Sequence, residues 1–251
     1  MADVVTLERV NKHFGGVVVA DNIDFVLKEG AVTGLLGPNG AGKTSLFNLI
    51  SGVIAPDSGT IYFEGMPINE SSVYQRARLG ISRTWQQIRL FQSMSVIDNL
   101  MLGSRAYQGE SLSQTLFTLG GLGRHRGALR ESAFHLLERV GLADRVDTQV
   151  SQLPYGQQKL VGLARALMND GTCLLLDEPM AGIELDVFST IKTVVREEAK
   201  KGRAICVIEH AISFVRDLCD GAVFMFSGQI IAQGSVDDLL ADKELAHIYF
   251  G

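Results

Sequence analysis

The sequence predicts an α/β fold: a mostly parallel β-sheet clad in helices, preceded by an antiparallel β portion and interrupted by a helical insertion. Three observations predict it. An apolar segment at 31–36 runs into the glycine-rich stretch GPNGAGKT (37–44) and then into a helix-forming segment at 45–50. Two further apolar runs, CLLL before Asp177 and AICVI before Glu209, lack polar alternation, as strands covered on both faces of a parallel sheet do. Between these core segments, over 96–140, the apolar residues take up helical spacing.

Each element follows from local chemistry. Residues 4–14 and 17–27 are β-rich and joined through Gly15-Gly16, a hairpin signal. Glu29-Gly30 turns the chain into the strand that feeds the glycine-rich stretch. After the first helix, Ser58-Gly59 and Glu64-Gly65 bracket a short strand at 60–63. A short helix follows at 75–79, then a strand at 81–84 running into WQQIRLF. Val96, Leu100 and Gly103 give helical spacing. Ala133, Leu136, Leu137 and Val140 form a cleaner apolar stripe, closed by Gly141. Residues 108–127, rich in Gly, Ser, Thr and Leu, have no clear period and read as a loop or a weak helical pair. LPYGQQKL (153–160) opens a helix carrying Leu160, Leu163, Ala164 and Leu167. Residues 186–200 are helical and 204–208 a buried strand. A hairpin at 222–226 and 229–233 turns on Ser227-Gly228, and two short helices at 236–240 and 244–249 close the chain.

The chain as a whole narrows the choices. Its 251 residues suffice for one large domain or a domain with an appended part. Apolar residues are 46% and charged residues 20%, an ordinary globular balance. A net charge of −5 without a basic stripe argues against a nucleic acid partner. Cys173, Cys206 and Cys219 lie inside apolar stretches without C-x-x-C spacing, which reads as core thiols in a reducing compartment. The opening MADVVTLERV lacks the basic and apolar regions of a signal peptide, and no apolar run is long enough to span a bilayer.

The chemistry begins at residues 37–44, which satisfy G-x-x-x-x-G-K-[ST] in the strand–loop–helix context that gives the motif its meaning. Glycines let the backbone N–H groups of Asn39, Gly40, Ala41, Gly42, Lys43 and Thr44 converge into an anion-binding nest at a helix N-terminus, with Ser45 next in the helix. Lys43 reaches the outer phosphates of a nucleotide, and the Thr44 hydroxyl offers a ligand for Mg²⁺. Asp177 and Glu178 sit at the C-terminal end of a buried strand, where α/β sheets place their ligands. There Asp177 can hold Mg²⁺ through water, and Glu178 can orient or deprotonate an attacking water. A strand followed by an acidic turn before Pro179 is the plainer account of the same residues. His210, at the end of another strand, suits a phosphate or carboxylate partner as well as it suits a surface position. Phe14 beside the hairpin turn can stack on a purine or simply pack in its strand. Gln86 and Gln87 follow a strand end, where an amide meets a metal ion, a water or bulk solvent.

Taken together and in order, the phosphate loop, LPYGQQ, LLLDEP and IEH resemble the ATP-binding subunits of ABC transporters over essentially the whole length. RTWQQIRLF, LPYGQQ, DEPMAGI, VIEH and the closing AHIYFG are similar to the branched-chain (hydrophobic) amino acid import type. Lipopolysaccharide-export ATPases share several of these features, and a soluble ABC ATPase without transport is the rival from another class. The resemblance implies a phosphate-loop NTPase core with an N-terminal antiparallel β subdomain, at 1–86 and 170–251, and an inserted α-helical signature subdomain at 87–169.

The resemblance also implies roles. Phe14 matches the aromatic that stacks on adenine. Gln86 matches the glutamine contacting Mg²⁺ and the attacking water, in a loop coupled to the membrane subunit. Asp177 matches the Mg²⁺-associated aspartate, Glu178 the catalytic glutamate and His210 the switch histidine on the γ-phosphate. Residues 181–184 lie where the loop touching the opposite subunit belongs. One departure stands out. The family signature Leu-Ser-Gly-Gly-Gln is here Leu153-Pro154-Tyr155-Gly156-Gln157, and Pro154 has neither hydroxyl nor N–H to offer the partner's nucleotide. The implied partners are a second, homologous or identical ATPase subunit, integral membrane subunits and, indirectly, a periplasmic or extracellular substrate-binding protein. The implied location is peripheral, on the cytoplasmic face of the membrane, with ATP and Mg²⁺ as cofactors.

Overall fold

A computed structural model describes residues 1–106 and 122–250. Most of the weakly periodic stretch read at 108–127 lies outside the described residues. The chain divides into two compact units, Met1–Arg83 with Gly171–Met180 and Val195–Gly251, and Thr84–Asp170 with Ala181–Val194.

The first unit holds both sheets. β1 (Asp3–Phe14) and β2 (Val17–Lys28) pair antiparallel, with Phe14 opposite Val17 across the Gly15-Gly16 turn. β4 (Ser58–Phe63) and the two-residue β5 (Met66–Pro67) complete this four-stranded antiparallel sheet in the order β2-β1-β4-β5. The larger sheet contains β3 (Val32–Leu36), β6 (Ile81–Arg83), β7 (Cys173–Asp177), β8 (Ala204–Ile208), β9 (Gly221–Phe226) and β10 (Gln229–Gly234), in the order β10-β9-β3-β8-β7-β6. Its pairings from β9 to β6 are parallel and only the edge strand β10 is antiparallel. The expected mostly parallel sheet and antiparallel β portion are thus both present. Every residue of β7 and β8 is buried, in accord with their unbroken apolar runs. The three cysteines are free and buried, Cys173 in β7, Cys206 in β8 and Cys219 just before β9, and burial pushes the Cys173 and Cys219 thiols up to about 12.

Helix α1 (Lys43–Ser51) follows β3, and α2 (Val73–Leu79) precedes β6. The start of α2 lies two residues before the sequence reading because Ser72 caps it. The Ser72 hydroxyl accepts the Gln75 N–H and the Gln75 side chain accepts the Ser72 N–H, a reciprocal capping box. Arg76 on α2 is almost wholly buried and donates to the carbonyls of Leu49 and Ile50 at 2.6 and 3.0 Å, closing the C-terminal end of α1.

In the second unit, α3 (Val96–Met101), α4 (Leu122–Arg139) and α5 (Tyr155–Leu167) pack through Val96, Leu100, Ala133, Leu137, Leu160 and Ala164. Gly103 falls in a turn after α3, and Gly141 turns the chain after α4 with φ of +71°. Helix α6 (Leu185–Lys200) begins in the second unit and ends in the first. The first unit also carries α7 (Ile212–Leu218), α8 (Val236–Ala241) and α9 (Lys243–Phe250). Sequence reasoning passed over α7. Its seven residues follow Ala211, whose side chain caps nothing, although Phe214, Val215 and Leu218 share a buried face.

Candidate active site

The phosphate loop is shaped by its glycines. At Gly37 the backbone has φ of +142°, and a Cβ would come within 2.1 Å of the Met225 carbonyl oxygen. At Gly42 φ is +104°, and a Cβ would lie 2.5 Å from the Val19 carbonyl oxygen. Both positions exclude side chains by conformation and by space. Asn39 and Gly40 are exposed at the loop tip, Ala41 is buried, and Ala41 N–H turns back to the Pro38 carbonyl at 3.3 Å. The Lys43 ammonium donates to the carbonyls of Gly37 and Pro38 at 2.6 and 2.9 Å, spanning the loop from within. Burial lowers the Lys43 pKa, while the nearby Glu178 and Asp177 carboxylates oppose that shift. Thr44 is exposed and Ser45 half-buried in the first turn of α1, whose N-cap, Gly42, supplies no side chain to the helix N–H groups.

The carboxylates stand at the ends of the parallel strands. Asp177 closes β7 opposite Ile208 of β8, and its Oδ2 accepts from the Arg83 guanidinium at 2.8 Å, both side chains being buried. Arg83 also donates to Asn48 Oδ1 at 2.7 Å and Ser51 Oγ at 3.2 Å on α1, so one guanidinium ties β6, β7 and α1 together. Glu178 has φ of +48°, a left-handed conformation that is strained for a residue with a side chain. Its N–H continues the β7–β8 ladder by donating to the Ile208 carbonyl at 3.0 Å. The turn brings Glu178 Oε1 to 3.5 Å from Nε2 of the exposed His210, so the two polar strand ends expected from sequence meet. Glu209 points inward. Burial raises its pKa, and backbone N–H groups of Met180, His210 and Ala211 oppose the rise.

Phe14 sits at the end of β1 with half its surface exposed and the Lys12 ammonium 5.2 Å from its ring centre. Strand packing thus leaves half of the residue's surface uncovered.

The remaining candidates belong to the second unit. Gln86 is exposed in the segment that follows β6, where the Arg89 guanidinium lies 3.9 Å from the Trp85 ring centre. The end of that segment is fixed by the buried Asn99, which accepts the Phe91 N–H at 2.9 Å and donates to the Phe91 carbonyl at 3.0 Å. Pro154 occupies the N-cap of α5 and makes no side-chain cap, leaving the first-turn N–H groups of Tyr155, Gly156 and Gln157 without that partner. Tyr155 is exposed and its ring edge lies against Gly182, where a Cβ would sit 3.3 Å away. A Cβ at Gly156 would meet Val187 at 3.0 Å. The signature turn and the 181–184 loop are therefore neighbours within this unit.

A family model described as ABC transporter matches residues 20–181, most of the chain. The chain belongs to the ABC transporter family. As an ABC ATPase it is 31% identical to the Salmonella typhimurium high-affinity branched-chain amino acid transport ATP-binding protein LivG, over 95% of this chain and 94% of that one. It is 28% identical to the corresponding Pseudomonas aeruginosa protein BraF, over 99% and 98% of the two chains. Its fold superposes on a nucleotide-free ATP-binding cassette from an ABC transporter with a TM-score of 0.86, at 33% identity and full coverage of both chains.

Three features of this ABC ATPase escaped the sequence reading. Arg83 carried no clear signal, standing between Ser82 and Thr84 at the end of a short strand, and its hydrogen-bond partners Asn48, Ser51 and Asp177 are 32 to 94 positions away. Glu209 looked like an ordinary polar strand end because its partners are backbone groups, which no side-chain pattern reveals. The left-handed turn at Glu178 had no signal, since glycine or asparagine usually marks such a position.

Among the described residues no helix is long and apolar enough to cross a membrane. No group of three or more His, Cys, Asp or Glu side chains capable of holding a metal ion occurs among them either.

Proposed function

We propose that this chain is the ATP-hydrolysing subunit that powers import of branched-chain amino acids or related amides, by closing on a second ATPase subunit around ATP. The single observation that carries the reaction is the meeting of Glu178 and His210 at 3.5 Å beside the β7 end that holds Asp177. The transport assignment rests on relatives named for branched-chain amino acid transport that align along nearly the full chain.

In this reading Phe14 stacks on the adenine. The N–H groups from Asn39 to Ser45 and the Lys43 ammonium receive the phosphates. Glu178 orients an attacking water and takes its proton as the bond between the γ-phosphorus and the β–γ bridging oxygen breaks, giving ADP and inorganic phosphate. His210 bonds the γ-phosphate on the side facing Glu178, and Gln86 holds the water from the coupling segment. Mg²⁺ needs few protein ligands because nucleotide phosphates and water fill most of its shell. The exposed Thr44 hydroxyl and the one carboxylate at Asp177 fit that modest donor set, and among the described residues no group of three or more His, Cys, Asp or Glu side chains competes with it; the family resemblance adds the Gln86 amide. These donors would hold Mg²⁺, which would supply neutralisation of charge on the phosphates.

Each site is completed from across the dimer. The opposing subunit brings its signature turn, and this chain returns Pro154, Tyr155, Gly156 and Gln157 to the partner's nucleotide. The γ-phosphate is the extra charge that those donors meet, so ATP favours closure and ADP does not. The second unit, with the segment around Gln86, passes the motion to integral membrane subunits, which places the chain peripherally on the cytoplasmic face of the membrane. A substrate-binding protein outside the membrane delivers the cargo, and nucleic acid has no part. The nucleotide-binding core is assigned to 1–86 and 170–251, and the signature subdomain to 87–169.

The test is Glu178→Gln in the assembled transporter, which is expected to bind ATP while losing most turnover and amino acid uptake. Full turnover in that variant would remove Glu178 from the role. Failure to co-purify with membrane subunits would remove the transport assignment.

A further inference from the structure

Glu209 holds a position that a carboxylate occupies only for a reason. Its side chain is 4% exposed, and burial pushes its pKa up. What keeps it there is a bridge between two backbone segments. One oxygen accepts the Met180 N–H at 2.6 Å, and the other accepts those of His210 at 3.0 Å and Ala211 at 3.4 Å. Met180 lies two residues beyond Glu178, and Pro179 between them has no N–H to offer a strand neighbour. The segment 178–180 is thus pinned to 208–211 at two points: Glu178 N–H on the Ile208 carbonyl, and Met180 N–H on the Glu209 side chain. Between those pins Glu178 adopts its left-handed turn and His210 comes within 3.5 Å of it.

The chemistry explains why a carboxylate is used. Three donors converge from both sides, and an ionised carboxylate accepts on both oxygens. A glutamine carries one oxygen and one NH₂ group, so it must turn a donor towards either Met180 or the His210–Ala211 pair. An apolar residue of similar size would leave the donors buried and unmatched.

We propose that Glu209 is a positioning residue that sets Glu178 and His210 in register for attack on the γ-phosphate. The inference rests on the reading that Glu178 and His210 act in ATP hydrolysis. It places a bridge between the strand end bearing the base and the strand end bearing the phosphate-sensing histidine. Loosening that bridge frees the segment 178–180 to shift against 208–211, while none of the bonds that Glu209 makes is to the phosphate loop.

The test compares Glu209→Gln, Glu209→Asp and Glu178→Gln in the assembled transporter, reading ATP affinity, KM, kcat and Tm. Glu209→Gln is expected to lower kcat by about tenfold or more, since displacements near 1 Å cost up to about a hundredfold, with KM and ATP affinity within about twofold. Glu209→Asp keeps both oxygens one methylene further back and should recover part of the loss. Unchanged kcat in Glu209→Gln overturns the proposal, as does a fall in kcat matched by an equal rise in KM, which a purely structural role would give. If Glu209→Gln does not fold, Glu209→Asp carries the test alone, with kcat lowered at constant KM as support and unchanged kcat as refutation. Turnover surviving in Glu178→Gln would sink the underlying reading. Loss there with none in the Glu209 variants sinks only this inference.

Discussion

The buried Arg83–Asp177 pair makes a quantitative claim that nucleotide-free unfolding can check. The guanidinium is 4% exposed, the carboxylate 2%, and they meet at 2.8 Å. At that separation two unit charges attract by about 6 kcal/mol for an effective dielectric near 20. Removing both ions from water offsets most of that gain, so the pair as a whole adds little. Removing one partner strands a buried charge, however, and costs about 3–5 kcal/mol. Arg83→Met should fall at the upper end, because the guanidinium also bonds Asn48 and Ser51. Asp177→Asn should cost a similar amount by leaving the arginine charge buried. In a chain of this length each kcal/mol moves Tm by about 2–4 °C, so either variant should melt roughly 10 °C early. The double variant strands neither charge. Its loss should fall short of the sum of the singles by about 2 kcal/mol, within the range measured for contacting residues. Thermal or urea unfolding of the four proteins closes the cycle. Additivity to within about 0.5 kcal/mol would refute the claim that the two charges are held by each other.

Two further outcomes follow from charges in the first unit. Burial lowers the Lys43 pKa from its ordinary 10.5, so in the free protein the ammonium gives up its proton earlier than an exposed lysine does. Phosphate oxygens favour the charged form and raise that pKa, so ATP binding should take up protons in the window just below 10.5 and weaken as pH rises through it. Calorimetry below pH 10.5 in buffers of different ionisation heat reads that uptake, and zero uptake across that range would contradict it. Arg76→Met removes the donors that cover the Leu49 and Ile50 carbonyls and also the bond from its Nε to the Ser71 carbonyl. The guanidinium already bears a desolvation cost that brings its pKa to about 10, so the net loss should be about 3–5 kcal/mol, read as a Tm lowered by roughly 10 °C. A Tm within 2 °C of the parent would show that water covers those carbonyls as well as the arginine does.

The fold was legible wherever one segment declares its own surroundings. The runs CLLL and AICVI announce strands buried on both faces, and GPNGAGKT announces a turn that side chains cannot enter. The site was legible to the extent that its residues stand at the ends of those elements, which is why Asp177, Glu178 and His210 could be picked from polar breaks in apolar runs. What stayed hidden depends on contacts between distant segments. Arg83 reads as one cation in a three-residue strand until β7 and α1 are placed beside it. Glu209 reads as a polar strand end until the Met180 N–H is seen above it. The left-handed turn at Glu178 is set by those tertiary anchors, against the local preference of its own residue type.

Pro154 has two separate effects under the proposed reading. A serine or threonine at the N-cap of α5 would bond one of the first-turn N–H groups, and its absence forgoes about 1 kcal/mol of helix stability. The same absence leaves those N–H groups available to an outside acceptor, at the positive end of a 13-residue helix dipole. A hydroxyl donor towards the partner's γ-phosphate is therefore lost while the backbone donors at Tyr155, Gly156 and Gln157 gain freedom to act. A Cβ at Gly156 would crowd Val187 and one at Gly182 would crowd the Tyr155 ring, so both glycines are kept small beside that turn. In that proposed reading the phosphate loop and the signature turn of one chain would serve different nucleotides, so the departure at Pro154 would act at the partner's site. A pair built from two unlike subunits would then hold two sites of unequal turnover under that proposal.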